Sequence, residues 1–178
     1  MAIKTAQHPY IIQIDGDVIL DPHFVEDHLK FAKKGRLIAG RRIRLTKEQT
    51  SLFCMTRKYQ IEDHFRNRTI AIFHQLALYK NTSIKGIRGC NMSYWREDAI
   101  TINGYNEEWS GKGPDDKEFA LRMVHLGIKT YNLKFYANQY HLHHGEEGLL
   151  DNYAINQDRL KDTIKHKTIK CKKGIKIN

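Results

Sequence analysis

Three groups of residues have the types and spacings that chemistry requires. Asp15 and Asp17 flank Gly16 directly after the apolar run Tyr10 to Ile14. Two carboxylates one residue apart, on a glycine-loosened turn at a strand end, can both face the crevice where open α/β sheets bind ligands. Hard oxygen ligands there suit Mg2+ or Mn2+ bound with a substrate phosphate, and the plainer alternative is an Asp-Gly turn. Asp115 and Asp116 follow Gly113-Pro114 and open an amphipathic stretch. Carboxylates at a helix start are favoured by the dipole and the free amides, so capping alone accounts for them. A capping carboxylate also has its pKa lowered, which favours the ionised form a general base starts from. Third, His141, His143 and His144 place three of the ten histidines within four residues. On an extended strand His141 and His143 share one face and Leu142 and His144 the other. They read as packed histidines or as ligands, and imidazole beside carboxylates moves the metal preference from Mg2+ toward Mn2+.

The elements that must position these groups are legible in outline. Tyr10 to Ile14 has the apolar, β-branched character of a buried parallel strand. Asp21-Pro22 predicts an N-cap with proline at the first helical position, opening a helix to about Lys34 that Gly35 closes. Arg36 to Leu45 reads as a second strand. Thr46 with Gln49 forms a possible capping box for a long polar helical region reaching about Lys80. Ile84 to Trp95 is a weak strand interrupted by Gly86 and Gly89, and Asn103-Gly104 marks a turn. Asp115 or Asp116 then caps a helix with Phe119, Met123 and Leu126 on one face, ending at Gly127. Ile128 to Leu133 and Phe135 to Tyr140 are strand candidates. This alternation of strands and helices predicts an α/β domain with a mixed sheet.

Composition narrows the function classes. The chain has 178 residues, 40% of them hydrophobic and 10% aromatic, enough for a core and unlike a disordered chain. No apolar run is long enough to span a bilayer, and Met1 to Pro9 lacks the apolar stretch of a signal peptide. The expected location is cytoplasmic, or peripheral at the inner face of the membrane. Cys54, Cys90 and Cys171 are too few and too scattered for a disulfide framework or a metal clip and read as reduced thiols. Of the net charge of +10, six arise after residue 160, where seven lysines face the single acid Asp162. The expected organisation is a body over residues 1–160 and a basic tail over residues 161–178. That tail reads as a solvated terminus, a patch for anionic lipid, or a nucleic-acid contact. The absence of aromatic residues and of arginine after Arg159 disfavours nucleic acid.

In order along the chain, YIIQIDGD, GCNMSYWR, INGYNEEWSGKGPDDKEF and HLHH resemble the landmarks of GT-A glycosyltransferases, family 2 and its galactosyltransferase-like relatives. The resemblance covers roughly residues 1–153 and implies a GT-A mixed sheet flanked by helices. Carried over residue by residue, it implies that Asp17 binds the metal and Asp15 lies near the nucleotide ribose and metal. It implies Asp116 as catalytic base, with Asp115 in place of the usual glutamate. His144, second in an H-x-x-H pattern, is the implied metal ligand, ahead of His141 and His143. Asn91 lies in the segment under the donor sugar, and Trp109 in the loop lining donor and acceptor. Lys112 and Pro114 depart from the family pattern, so acceptor preference does not transfer.

The implied activity is inverting transfer of a hexose, of galactose or N-acetylhexosamine type, from a UDP-sugar to a saccharide hydroxyl. Mn2+ or Mg2+ is the implied cofactor, and cell-surface polysaccharide or glycan synthesis the implied setting. The family places a first βαβ portion before the DxD strand, whereas here Asp15 comes fifteen residues in. The chain is therefore expected to be a fragment or truncated product lacking that portion. Two rival readings are a haloacid-dehalogenase-like phosphatase, with Asp15 as nucleophile beside Asp17, and a basic module binding membrane or nucleic acid.

Overall fold

The computed structural model describes residues 2–58, 78–81, 84–111, 113–145 and 152–176. A five-stranded sheet has the order β1-β6-β3-β7-β5, built from Tyr10–Ile14 (β1), Asn91–Trp95 (β6), Arg36–Ala39 (β3), Lys129–Leu133 (β7) and Leu78–Asn81 (β5). Only the β3–β7 pair is parallel; the other neighbours run antiparallel. A three-stranded sheet, β2-β8-β4, comprises Val18–Leu20 (β2), Asn138–His141 (β8) and Arg41–Arg44 (β4). The architecture is the expected α/β mixed sheet with helices.

Alternation along β3 shows how the larger sheet is covered. Leu37 and Ala39 enter a cluster with Met92, Tyr94, Phe119 and Met123, while Ile38 enters another with Phe24, Phe31 and Tyr136. Successive side chains leave opposite faces, so each face receives its own layer. Helix α5 (Asp115–His125) supplies Phe119, Ala120 and Met123, all fully buried, to the first layer. Helix α2 (Phe24–Phe31) supplies Phe24 and Phe31 to the second.

Several expectations need correction. β1 pairs antiparallel with β6 and lies at the sheet edge, not in a buried parallel position. The helix expected from Asp21-Pro22 starts later: Asp21 folds back to accept a hydrogen bond from the His23 amide at 2.9 Å, and the helix ends at Phe31. The strand expected over 36–45 breaks at Gly40 into β3 and β4, which join different sheets. Any Cβ at Gly40 would lie 2.6 Å from the Ala137 carbonyl oxygen, so the crossover needs glycine. The Thr46–Gln49 capping box is present and opens α3 (Lys47–Thr56). That helix stops at Arg57 in the left-handed region; residues 59–77 lie outside the described set, and 78–81 are strand rather than helix.

The C-terminal boundary also moves. Residue 160 falls inside helix α6 (Tyr153–His166), and the segment beyond it is held to the body. Asn103 donates to the carbonyls of Cys171 and Lys176 at 3.0 and 2.9 Å and accepts from the Lys176 amide at 2.8 Å. Cys171 is buried and Ile175 packs on the first core layer. A solvated terminus does not describe this strap. Among the described residues, no helix is long and apolar enough to cross a membrane. All three cysteines are free thiols.

Candidate active site

Register creates the site. β2 pairs antiparallel with β8 so that Val18 lies opposite His141, and the Leu142 amide donates to the Asp17 carbonyl at 3.0 Å. The Asp15-Gly16-Asp17 turn between β1 and β2 is thereby pinned to the end of β8. Asp17 Oδ2 lies 3.4 Å from His141 Nε2 and 3.1 Å from His144 Nε2. The three side chains offer one ligand atom each, all within 4.8 Å of one another.

The expected sharing of faces by His141 and His143 fails because the strand ends at His141. Past that point the His143 amide donates to Thr50 Oγ1 at 2.8 Å, and the chain turns so that His141 and His144 converge instead. His143 is exposed and outside the cluster.

Hydrogen bonding tests whether this set fits a cation. His141 Nδ1 lies 2.9 Å from the Leu142 carbonyl and His144 Nδ1 3.0 Å from the Gly145 carbonyl. A carbonyl only accepts, so each Nδ1 carries the proton, and in the neutral ring each Nε2 is left as a lone pair. Both Nε2 atoms face the Asp17 carboxylate, an arrangement that either Nε2–H donors or a bound cation would complete. Asp17 Oδ1 is moreover buried with no hydrogen-bond partner among the described residues. Carbonyls holding the far nitrogen of ligating histidines, with mixed carboxylate and imidazole donors, fit Mn2+ or a similar transition metal.

Asp116 stands in the first turn of α5. It sits directly over Gly89: a Cβ there would lie 2.7 Å from Asp116 Cγ and 3.1 Å from Oδ2. Asp15 connects the groups electrostatically. Desolvation first, then the charges of Asp17 and Asp116, push its pKa up, opposed by His141 and Arg42. Neither Asp115 nor Asp116 acts as the helix cap, which is Pro114 with no side-chain cap bond. Burial, and then the neighbouring Asp116, push Asp115 up rather than down, the reverse of the capping expectation.

Asn91 is buried beneath the crossover at Gly40. Its side chain is 1% exposed and donates to the Arg41 and Ala137 carbonyls at 3.1 and 2.9 Å, while Oδ1 meets His28 Nε2 at 3.0 Å. It braces the crossover at Gly40. Trp109 lies half-buried in a loop that α6 anchors, with Asn156 donating to the Ser110 carbonyl at 2.9 Å and Arg159 donating to the Glu108 carbonyl. Its Nε1 is buried without a partner among the described residues. Lys112 lies outside the described residues.

Sequence reasoning missed Arg42, whose Nη1 is 4.0 Å from Cys90 Sγ and whose charge acts on both Cys90 and Asp15. It stands in the run Arg41-Arg42-Ile43-Arg44, where no spacing distinguishes one arginine from its neighbours. In the sequence Gly89 shows as a strand interruption and as the first residue of the GCNMSYWR segment.

Residues 72–145 match the family described as the N-terminal domain of galactosyltransferase, a span containing Asn91, Asp116 and both converging histidines. Among solved structures, the crystal structure of GalNAc-T7 with UDP, GalNAc and Mn2+ aligns with a TM-score of 0.62 at 12% identity. That alignment covers 91% of this chain and 33% of the other, so the chain spans a third of the length of the protein it matches. No curated protein matches the sequence. The fold is that of a GT-A glycosyltransferase. Beyond the shared fold, the likeness to galactosyltransferases extends over residues 72–145.

Proposed function

We propose that the protein transfers a hexose, of galactose or N-acetylhexosamine type, from a UDP-sugar to a saccharide hydroxyl with inversion, in cell-surface polysaccharide or glycan synthesis. The observation that carries this reading is the convergence of Asp17, His141 and His144, with Asp15 under the charges of both Asp17 and Asp116. Asp17 and His144, with His141 as third ligand, would hold Mn2+ or Mg2+. A divalent cation bound there neutralises negative charge on a departing diphosphate. Asp15, under the charges of both Asp17 and Asp116, would order the donor. Asp116, at the start of α5, accepts the proton of the attacking hydroxyl. A diphosphate leaves without a protonated acid, so one base suffices, unlike the carboxylate pair of glycoside hydrolases.

The mixed, largely antiparallel sheet and the two histidines at Asp17 argue against the phosphatase alternative, which assigns those histidines no role. The test is Asp116→Asn. Turnover of a UDP-hexose should fall about 10²- to 10⁴-fold while UDP–Mn2+ affinity stays within a fewfold. Equal losses of rate and affinity would reduce Asp116 to a structural residue.

A further inference from the structure

The strap that follows α6 is positively charged and rigidly seated at once, and the active site uses neither property. From Thr163 to Asn178 the sequence holds six lysines and no acid. Cys171 and Gly174 turn inward with Ile175, whereas Lys165, Lys167, Lys170, Lys172, Lys173 and Lys176 are all exposed. Further bonds fix the backbone: the Glu107 amide donates to the Lys173 carbonyl at 2.9 Å and the Ile175 amide to the Asn103 carbonyl at 3.0 Å. Upstream, Lys161 is answered by Asp158 at 2.7 Å. Among the described residues, none of the six later lysines has a carboxylate partner. Two aliphatic side chains stand in solvent within this same stretch, Ile164 at 52% and Ile169 at 40% exposure.

Scattered exposed isoleucines are ordinary, and a lysine-rich face is ordinary; their interleaving on a fixed strap is what selects a partner. A nucleic acid would be met by arginine forks and stacking aromatics, and none occurs after Arg159. Lysines are hydrated point charges suited to a diffuse anionic surface, and isoleucines between them match an acyl boundary beneath headgroups. The backbone is already ordered, so binding need not order it.

We propose that the end of α6 and the strap form a docking face for an anionic lipid surface, with the lysines at the headgroups and Ile164 and Ile169 entering between them. This goes beyond the transfer reaction and stands or falls independently of it.

The test is flotation of the full chain with vesicles of phosphatidylcholine alone or mixed with phosphatidylglycerol. Binding is expected only with the anionic lipid and should weaken as salt rises. Each lysine near such a surface is worth about a fivefold change in partition, so the combined variant K165E/K170E/K172E should lose more than about 100-fold. Those three side chains are exposed, and an unchanged melting temperature confirms that the variant is folded. Ile164→Ser with Ile169→Ser should lower binding further at high salt, where charge is screened. Equal binding to neutral vesicles, or binding unmoved by the triple reversal, overturns the proposal. Duplex DNA bound as tightly as the anionic vesicles would also overturn it and assign the face to nucleic acid.

Discussion

At the scale of single residues, the metal proposal separates three histidines that the sequence presents side by side. His141 and His144 each commit Nδ1 to a backbone carbonyl and turn Nε2 to Asp17, whereas His143 is held away by the hydrogen bond its backbone N–H donates to Thr50 Oγ1. Asp17→Asn, His141→Ala and His144→Ala should each weaken Mn2+ binding by at least the about 10- to 100-fold that loss of an orienting partner costs. His143→Ala should leave it unchanged. Titration of Mn2+ followed by the resonance of the free ion measures all four, and an equal loss in the His143 variant would refute the assignment. Gly89 permits a complementary test. A methyl group there would overlap the Asp116 carboxylate, which can swing aside because it is the end of a side chain. Gly89→Ala should therefore keep the fold and Mn2+ affinity while turnover falls about 100-fold, the order expected when a reacting group moves by about an ångström.

At the scale of elements, a buried polar chain joins strand β1, strand β6, helix α2 and the Gly40 crossover. Both Asn91 N–H groups go to carbonyls, so its Oδ1 must accept from His28 Nε2–H. His28 Nδ1 is then an acceptor for the Ser93 hydroxyl at 2.7 Å, and Ser93 in turn accepts from the Tyr10 hydroxyl at 2.8 Å. The network requires neutral His28, and burial lowers its pKa to about 4. The sign follows from linkage. Between the unfolded value near 6.5 and the folded value near 4, the unfolded chain binds one more proton, so stability falls as pH falls through that window. Chemical denaturation should show the protein losing about 3 kcal/mol more than a His28→Gln variant between about pH 7 and pH 4. Parallel pH profiles would show that His28 is not the titrating group. Asn91 and His28 matter to the site at one remove, since the crossover they brace carries Arg42 on β4 and leads alongside β8 to His141.

At the scale of the whole molecule, what could be read from the sequence followed from local physics. The capping box at Thr46, the turn at Asn103-Gly104 and the apolar face of α5 are encoded within a few residues, and each forms where expected. The antiparallel pairing of β1, the split of residues 36–45 between two sheets and the convergence of His141 with His144 depend on partners dozens of residues away. The C-terminal strap is the largest such case. Composition made it a charged tail, because lysines dominate; its fold is set by the sparse residues between them. Cys171, Gly174 and Ile175 close over the turn at Asn103 that leads to Tyr105 and Trp109, while buried Arg122 holds the same turn from below through the Ile102 and Gly104 carbonyls at 2.6 and 2.7 Å. Gly174 isolates the contribution of this closure. A Cβ at that position would lie 3.1 Å from the Asn103 carbonyl carbon and 2.9 Å from Cys171 Sγ, closer still to the carbonyl oxygen. Unlike the Asp116 carboxylate over Gly89, the Asn103 carbonyl is backbone pinned by hydrogen bonds, so the strap must lift. Gly174→Ala should cost about 1–3 kcal/mol as overpacking does, lowering the melting temperature by roughly 2–12 °C for a chain of this size. A melting temperature identical to that of the parent would mean that the strap is a solvated tail after all, and its lysines would then lose the fixed platform on which the lipid proposal depends.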